Sequence, residues 1–146
     1  MTAECIVVAA VAFVRDGQVL TVRKRGTTRF MLVGGKPEPG ESAYDAAVRE
    51  TREEVGLDVG GPGALSPLGV YLAPAANEPG RELHSTVFTA SLPGEPRAAA
   101  EIAELRWMSL DGEGHDDLAP MLEHHVLPAL RALEASATAV RTHPSS

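Results

Sequence analysis

Residues 35–57 read GKPEPGESAYDAAVRETREEVGL, and this stretch decides the fold. The segment 34–40 carries three glycines and two prolines, which predicts a loop rather than a helix or a strand. Ser42 then predicts a helix N-cap, because Asp45 follows three positions later and acidic residues suit the positive end of a helix dipole. Gly56 supplies the C-terminal stop. The stretch therefore predicts a loop, one helix and a second loop.

The predicted helix has an apolar face and an acidic face. The packed face consists of side chains that recur at helical spacing, namely Tyr44, Ala47, Val48, Thr51 and Val55. Glu50, Glu53 and Glu54 share an arc about 100° wide, which we expect to lie well away from that face. Three carboxylates this close repel one another, and a hard divalent cation such as Mg²⁺, Mn²⁺ or Ca²⁺ would remove the repulsion. Taken alone, the triplet is more typical of a solvated acidic face.

Strands surround this helix in the sequence. Apolar and alternating runs predict strands over residues 6–15, 18–25, 30–33, 65–73, 83–92 and 105–110, and a closing helix over 118–135. This order predicts an α/β chain in the loose (α+β) sense, with a mixed β-sheet sandwiched between helices. A length of 146 residues suits a single domain, which we place at residues 1–136, with a flexible C-terminal tail at 137–146.

Charge and composition restrict the partners. The net charge of −7 argues against a nucleic-acid polymer or an anionic membrane, because both favour a basic surface. The longest apolar run, residues 5–14, is about half of the ~20 residues that a membrane-spanning helix needs. Cys5 is the only cysteine, which excludes an internal disulfide and fits a reducing compartment. We therefore predict a cytoplasmic protein whose partner is a small molecule, and a small anion carried in with a metal cation stays compatible with this charge.

The setting of the three glutamates changes their interpretation. The stretch fits the pattern G-x5-E-x7-R-E-U-x-E-E-x-G-U, in which U is aliphatic. All seven fixed letters are present, as Gly35, Glu41, Arg49, Glu50, Glu53, Glu54 and Gly56. At odds of roughly one in fifteen per letter, a chance match is on the order of one in 10⁸ at a given start. Thr51 departs from the pattern at the first aliphatic position. The stretch resembles the signature of the Nudix hydrolases, of the mutator (MutT-like) type.

The resemblance implies a role for each of these residues. The metal ligands would be Glu50, Glu53 and Glu54, with Mg²⁺ as the cofactor and Mn²⁺ as its substitute. The catalytic set would comprise Glu53 and Glu54 together with Arg49 and Glu41. Arg49 would reach Glu53 or orient Glu50, while Glu41 would position Arg49 or a water on the metal. Gly35 and Gly40 would let the loop bend around the helix start, and Gly35 would lie beside the bound substrate.

Candidate residues also lie outside the stretch. Glu101 stands six residues before Trp107 and is, by the same resemblance, a further metal-binding or base carboxylate. Glu104 is its rival, and a surface loop glutamate is the alternative interpretation of Glu101. Arg23 and Arg25 leave a strand just before the stretch, where they could meet substrate phosphate, but they are equally typical of solvated edge charges.

The implied reaction is the hydrolysis of a nucleoside diphosphate linked to another group, assisted by a metal ion. We predict a Mg²⁺-dependent pyrophosphohydrolase that acts on nucleoside triphosphates or modified forms of them. An ADP-ribose or nucleotide-sugar pyrophosphatase is the alternative. A non-catalytic nucleotide-binding module is disfavoured, because a binder has no need of three repelling carboxylates. The motif does not encode the base, and a homodimer is compatible with the resemblance.

Overall fold

Six strands and two helices make up the part of the chain that the structure describes. The structure is a computed structural model, and it describes residues 5–61, 63–75, 80–111 and 116–142, with side chains as far as residue 136. The strands are β1 (Cys5–Arg15), β2 (Gln18–Lys24), β3 (Val33–Gly35), β4 (Ser66–Pro74), β5 (Glu82–Ala90) and β6 (Ile102–Ser109). The helices are α1 (Ala43–Val55) and α2 (Leu127–Thr142), the second preceded by a π-helical segment (Leu122–Val126).

Strand β1 lies at the centre of a mixed sheet. The strand order is β4-β5-β1-β2-β6, and β3 pairs with β1 off this path. The β1–β5 pair is parallel, and the other pairs are antiparallel. The eleven residues of β1 make this branching feasible, because β3 pairs with its middle and β2 with its end. The predicted mixed sheet is therefore confirmed.

The two faces of the sheet build two separate cores. On β1, Ala10 and Ala12 belong to the cluster that contains Leu127 and Leu130 of α2. Their neighbours in the chain pack on the opposite face, against the side of α1 that carries Ala46 and Ala47. Alternate residues of a strand point to opposite faces, so a strand buried on both sides is apolar throughout. The sheet is thus sandwiched between helices, as predicted.

Strand β3 differs from the prediction, because two glycines expected in a loop are part of it. Gly34 pairs with Ala10 and Gly35 pairs with Ala9, so the strand runs past the predicted end at residue 33. A Cβ on Gly34 would lie 2.2 Å from the Ala9 carbonyl oxygen. Glycine is the residue that permits such a close backbone approach. The glycines therefore belong to the strand, whereas Phe30 and Met31, at the start of the predicted strand, form only isolated bridges with Leu118 and Val22.

Helix α1 begins and ends as predicted. The Ser42 hydroxyl accepts a hydrogen bond from the Asp45 backbone N–H at 3.0 Å, and Gly56 closes the helix with a left-handed backbone. The prediction that all three glutamates lie away from the packed face is wrong for one of them. Glu54 is only 4% exposed. It lies next to buried Val55, and its carboxylate turns towards β3.

The C-terminal helical segment begins later than predicted. Leu118 does not start a helix but forms a parallel bridge with Phe30, and the Ala119 N–H donates to the Phe30 carbonyl. Arg106 of β6 holds this segment with two hydrogen bonds to Asp117, at 2.9 and 3.0 Å. Helix α2 continues to Thr142, beyond the predicted end at residue 135. The domain boundary at residue 136 and the flexible tail stay predictions. In the described residues, the helices are too short or too polar to span a membrane.

Candidate active site

A cavity of about 680 Å³ is lined by residues of β1, β3, α1 and β5 and of the segment before α2. The acidic residues of its lining are the three glutamates of α1 and Glu101. Lys24 and Lys36 line the cavity as well. Apolar side chains of β1, β5 and the segment before α2 complete the lining of the cavity. Its volume is within the range of ~300–1,000 Å³ that is typical of small-molecule sites.

Glu54 is the buried carboxylate of the cavity lining. Its Oε1 accepts a hydrogen bond from the Gly34 backbone N–H at 3.2 Å. Burial and, next in size, a hydrogen bond to Glu50 raise the pKa of Glu54 to about 8, although the charge of Lys24 and the Gly34 N–H oppose the shift. Carboxyl groups whose pKa is shifted by burial and by a second carboxylate are common at functional sites.

Glu50 packs directly on the backbone of Gly35. A Cβ on Gly35 would lie 2.5 Å from the carboxyl carbon of Glu50 and 2.6 Å from its Oε1. Any side chain at position 35 would therefore displace this carboxylate. The bend of the loop is at Gly40, where φ is +80°. The expectation that Gly35 serves the bend is thus corrected, because its role is to leave room for Glu50.

Arg49 connects the loop with the acidic face of the helix. Two nitrogens of its guanidinium donate to both carboxylate oxygens of Glu41, at 2.9 and 3.0 Å. Its Nη1 donates to Glu50 at 2.8 Å and, more weakly, to Glu53 at 3.4 Å. The hydrogen bond from Arg49 lowers the pKa of Glu41, helped by the Glu38 backbone N–H, and Glu41 in turn raises the pKa of Arg49. The structure therefore brings Arg49 to both partners that the sequence offered, with Glu41 holding it in place.

The glutamates are not gathered into a metal site in this structure. Within the described ranges, no group of three or more His, Cys, Asp and Glu side chains is arranged so that it could hold a metal ion. The physical reason is visible in the contacts, since Glu54 turns to the backbone of Gly34 while Arg49 takes up Glu50 and Glu53. The donor chemistry still fits a hard divalent cation, because three carboxylates from two helical turns line the same cavity. A cation would relieve their mutual repulsion.

The two candidate glutamates near β6 are separated by the structure. Glu101 precedes the strand and lines the cavity. Glu104 lies within the strand, away from the cavity lining, and pairs with Arg23 at 3.2 Å. Of the two candidate carboxylates, Glu101 is therefore the one that lies at the cavity.

The arginines expected to meet phosphate do not reach the cavity. Arg23 is paired with Glu104 and also donates to the Thr27 carbonyl at 2.9 Å, and the exposed Arg25 is absent from the cavity lining. Their predicted contact with substrate is thus unsupported by the structure. Lys24, which the sequence analysis did not select, lines the cavity instead and acts on the charge of Glu54. A signal for it existed, because alternation along β2 places Lys24 on the same face as Val22, beneath α1.

Comparison with known proteins gives the family directly. The family model described as the NUDIX domain matches residues 5–130. A solved structure of a MutT NUDIX hydrolase from Burkholderia pseudomallei superimposes with a TM-score of 0.66 at 28% identity, covering 88% of this chain and 97% of the other. The fold and the signature stretch at residues 35–57 therefore indicate the same family.

Two curated relatives carry names that specify substrates. A Bacillus subtilis protein, assigned provisionally as an 8-oxo-dGTP diphosphatase, is 39% identical over 95 residues, which are 63% of this chain and 58% of the relative. An ADP-ribose pyrophosphatase of Methanocaldococcus jannaschii is 30% identical over 100 residues, which are 66% of this chain and 57% of the relative. The chain thus spans less than three fifths of the length of either relative. With the family model matching most of its residues, the chain belongs to the Nudix family, in its MutT-like branch.

Proposed function

We propose that this protein is a Mg²⁺-dependent pyrophosphohydrolase that cleaves a nucleoside diphosphate linked to another group. Nucleoside triphosphates, including modified ones, are the substrate class that we favour. The observation that supports this proposal is the presence of four carboxylates and two lysines in the lining of one cavity. Carboxylates suit a hard divalent cation, and ammonium groups suit phosphate oxygens. A polyphosphate accompanied by a cation requires both.

Glu50, Glu53 and Glu54 are the residues that would hold the metal ion, with Mn²⁺ as a substitute for Mg²⁺. When bound, the ion would neutralise phosphate oxygens and help to activate water. Arg49 keeps Glu50 and Glu53 on the side of the helix that faces the cavity, since it donates to both. Glu41 fixes the guanidinium through two parallel hydrogen bonds, which is the strong geometry for an arginine–carboxylate pair.

Two carboxylates are candidates for the proton acceptor of the attacking water. Glu53 has a side chain that is 51% exposed, and Glu101 is also exposed, so both reach the cavity and the solvent. Glu54 is less suited to this task in the metal-free protein, because it is already engaged with Gly34 and Glu50. We therefore place proton transfer on Glu53 or Glu101.

The lysines provide a direct test of phosphate binding. Lys24→Met should raise KM for nucleotide substrates by about tenfold or more, because one charge-assisted contact to phosphate is lost. Arg25→Met is the matched control. It removes the same charge from the residue next to Lys24, but the Arg25 side chain is not part of the cavity lining. Equal increases in KM for both variants would contradict the assignment of Lys24 to phosphate.

A second substrate class has one specific observation in its favour. The Methanocaldococcus jannaschii relative is named for ADP-ribose, so ADP-ribose and nucleotide sugars belong in the same assay. We also propose that the protein is cytoplasmic, because its single cysteine, Cys5, is exposed and unpaired, which fits a reducing compartment.

The decisive experiment is chromatographic detection of the nucleoside monophosphate formed from a panel of nucleoside triphosphates, ADP-ribose and nucleotide sugars, with Mg²⁺ and with excess EDTA. We expect turnover only with the metal. Glu53→Gln should lower kcat by at least ~100-fold, whereas Glu38→Gln, an equally conservative change in the loop, should leave kcat nearly unchanged. Turnover that persists in EDTA, or a panel without any substrate, would refute the proposal.

A further inference from the structure

Strand β4 forms one edge of the sheet, and its outer side is open. In the ranges that the structure describes, β5 is the one strand that pairs with β4. Strand β6, at the other edge, carries Glu104 and Arg106, which both form ion pairs. Strand β4 has no charged residue in its nine positions, Ser66–Pro74. Because proteins commonly protect an open edge with charges, the neutral edge of β4 is suited to pairing with another strand.

The backbone groups on the open side of β4 follow from its pairing with β5. The Ala75 N–H donates to the Arg81 carbonyl at 3.0 Å, which makes these two residues a hydrogen-bonded pair of the ladder. In an antiparallel ladder, such pairs alternate with pairs whose N–H and C=O groups point away from each other. The N–H and C=O groups of Val70 and Leu72 therefore point to the open side. Pro74 fits this alternation, because its nitrogen, which carries no hydrogen, also lies on the open side.

The same two residues have exposed apolar side chains. Val70 is 57% exposed and Leu72 is 51% exposed. Both lie on the face of the sheet that carries α1, because they share the register positions of Thr86 and His84 on the Phe88 side of β5. Exposed apolar side chains that stand together, here beside open backbone groups, mark a contact site for another chain.

We propose that β4 pairs antiparallel with β4 of a second copy of this chain, about a two-fold axis at Tyr71. In this register, Val70 lies opposite the partner's Leu72, and Leu72 lies opposite the partner's Val70. Both are hydrogen-bonded pairs, so the open N–H and C=O groups of the two residues are all used, and the exposed side chains pack on each other across the junction. A two-fold axis at Leu72 would instead place Val70 opposite the partner's Pro74, which has no N–H to donate.

Charge and contact area determine how strong this dimer is. The chain carries a net charge of −7, so two copies repel each other over most of their surfaces. The neutral β4 edge lets them meet without like charges directly opposite each other. One strand per copy makes a smaller contact than the ~1,200–2,000 Å² of a stable complex. The dimer is therefore reversible, with a Kd on the order of 100 µM.

Sedimentation equilibrium of the full chain, from about 10 µM to about 1 mM, tests the proposal without substrate or metal. The average mass should rise with concentration from 15.3 kDa towards twice this value. Leu72→Lys should weaken the dimer by at least ~10-fold, because it puts a charge in place of the apolar contact in both copies. Val7→Lys is the matched control and should leave the dimer unchanged. Val7 is 52% exposed on the same face of the sheet, but it lies two strands away from the β4 edge.

Amide hydrogen exchange of the unmodified chain locates the contact. The N–H groups of Val70 and Leu72 should exchange about threefold or more slowly at 1 mM than at 10 µM, because the dimer covers them. The Tyr71 N–H points towards β5 and should exchange at the same rate at both concentrations.

Three outcomes would overturn the proposal. The first is a chain that stays monomeric up to about 1 mM, which would leave the β4 edge to an extended segment of a different protein. The second is equal weakening by Val7→Lys and Leu72→Lys, because it would indicate that two sheet faces stack on each other. The third is concentration-dependent protection that appears on β6 and not on β4.

Discussion

Replacing Glu54 by glutamine should stabilise the metal-free protein at alkaline pH. The carboxylate of Glu54 is buried and shares a hydrogen bond with Glu50, which raises its pKa to about 8 from an ordinary 4.5. Glutamine has nearly the same shape and helix propensity. Its carbonyl oxygen can still accept from the Gly34 N–H, and its amide can donate to Glu50. The variant therefore imitates the protonated form of Glu54 at every pH.

The size of the effect follows from proton linkage. Because the pKa of Glu54 is higher in the folded than in the unfolded chain, the folded state holds this proton more tightly. The favourable contribution to the free energy of unfolding is complete below about pH 4.5 and is lost as the pH rises through about 8. Between pH 5 and pH 8, the loss is on the order of 3 kcal/mol. That loss should be absent when residue 54 is glutamine.

Urea denaturation in EDTA at several pH values between 5 and 8 measures the loss of the free energy of unfolding directly. The free energy of unfolding of the wild type should fall relative to that of Glu54→Gln as the pH rises. Glu53→Gln is the matched control, because the same change on a half-exposed side chain should leave the pH dependence parallel to that of the wild type. Millimolar Mg²⁺ should raise the melting temperature of the wild type more than that of Glu54→Gln. A wild-type-minus-variant difference that stays constant within about 0.5 kcal/mol across this range would refute the reasoning.

Two further predictions concern the lining of the cavity. Gly35→Ala should lower kcat by at least ~10-fold while the protein still folds, because the new Cβ would displace the Glu50 carboxylate. Gly94→Ala meets only ordinary contact at 3.4 Å and should keep its activity in the same assay. Glu101→Gln should lower kcat by more than ~10-fold, because Glu101 lines the cavity, whereas Glu104→Gln should have little effect. The reverse ranking of these two glutamates in steady-state kinetics would transfer the role to Glu104.

Features that depend on neighbours in the chain were predictable from the sequence. The N-cap at Ser42 and the stop at Gly56 involve residues within a few positions of each other, so the bounds of α1 followed from local chemistry. The continuous apolar run of β1 predicted a buried strand, and the order of the elements predicted a mixed sheet between helices. The fixed letters of the signature also identified the family without any structure.

Features that depend on packing across the chain needed the tertiary structure. Local propensity predicts a loop at Gly34, but β1 approaches so closely that only glycine fits, and the residue joins the sheet. Helical spacing gives Glu54 the same arc as Glu53, yet the backbone of β3 covers one and leaves the other in solvent. Alternation along β2 places Lys24 on the same face as Val22, but it did not show that this side chain lines a cavity together with the glutamates. Lys24 lines the cavity because of its tertiary surroundings. The burial and charge of a residue are set by what lies opposite it in space, and elements far apart in the sequence supply those surroundings.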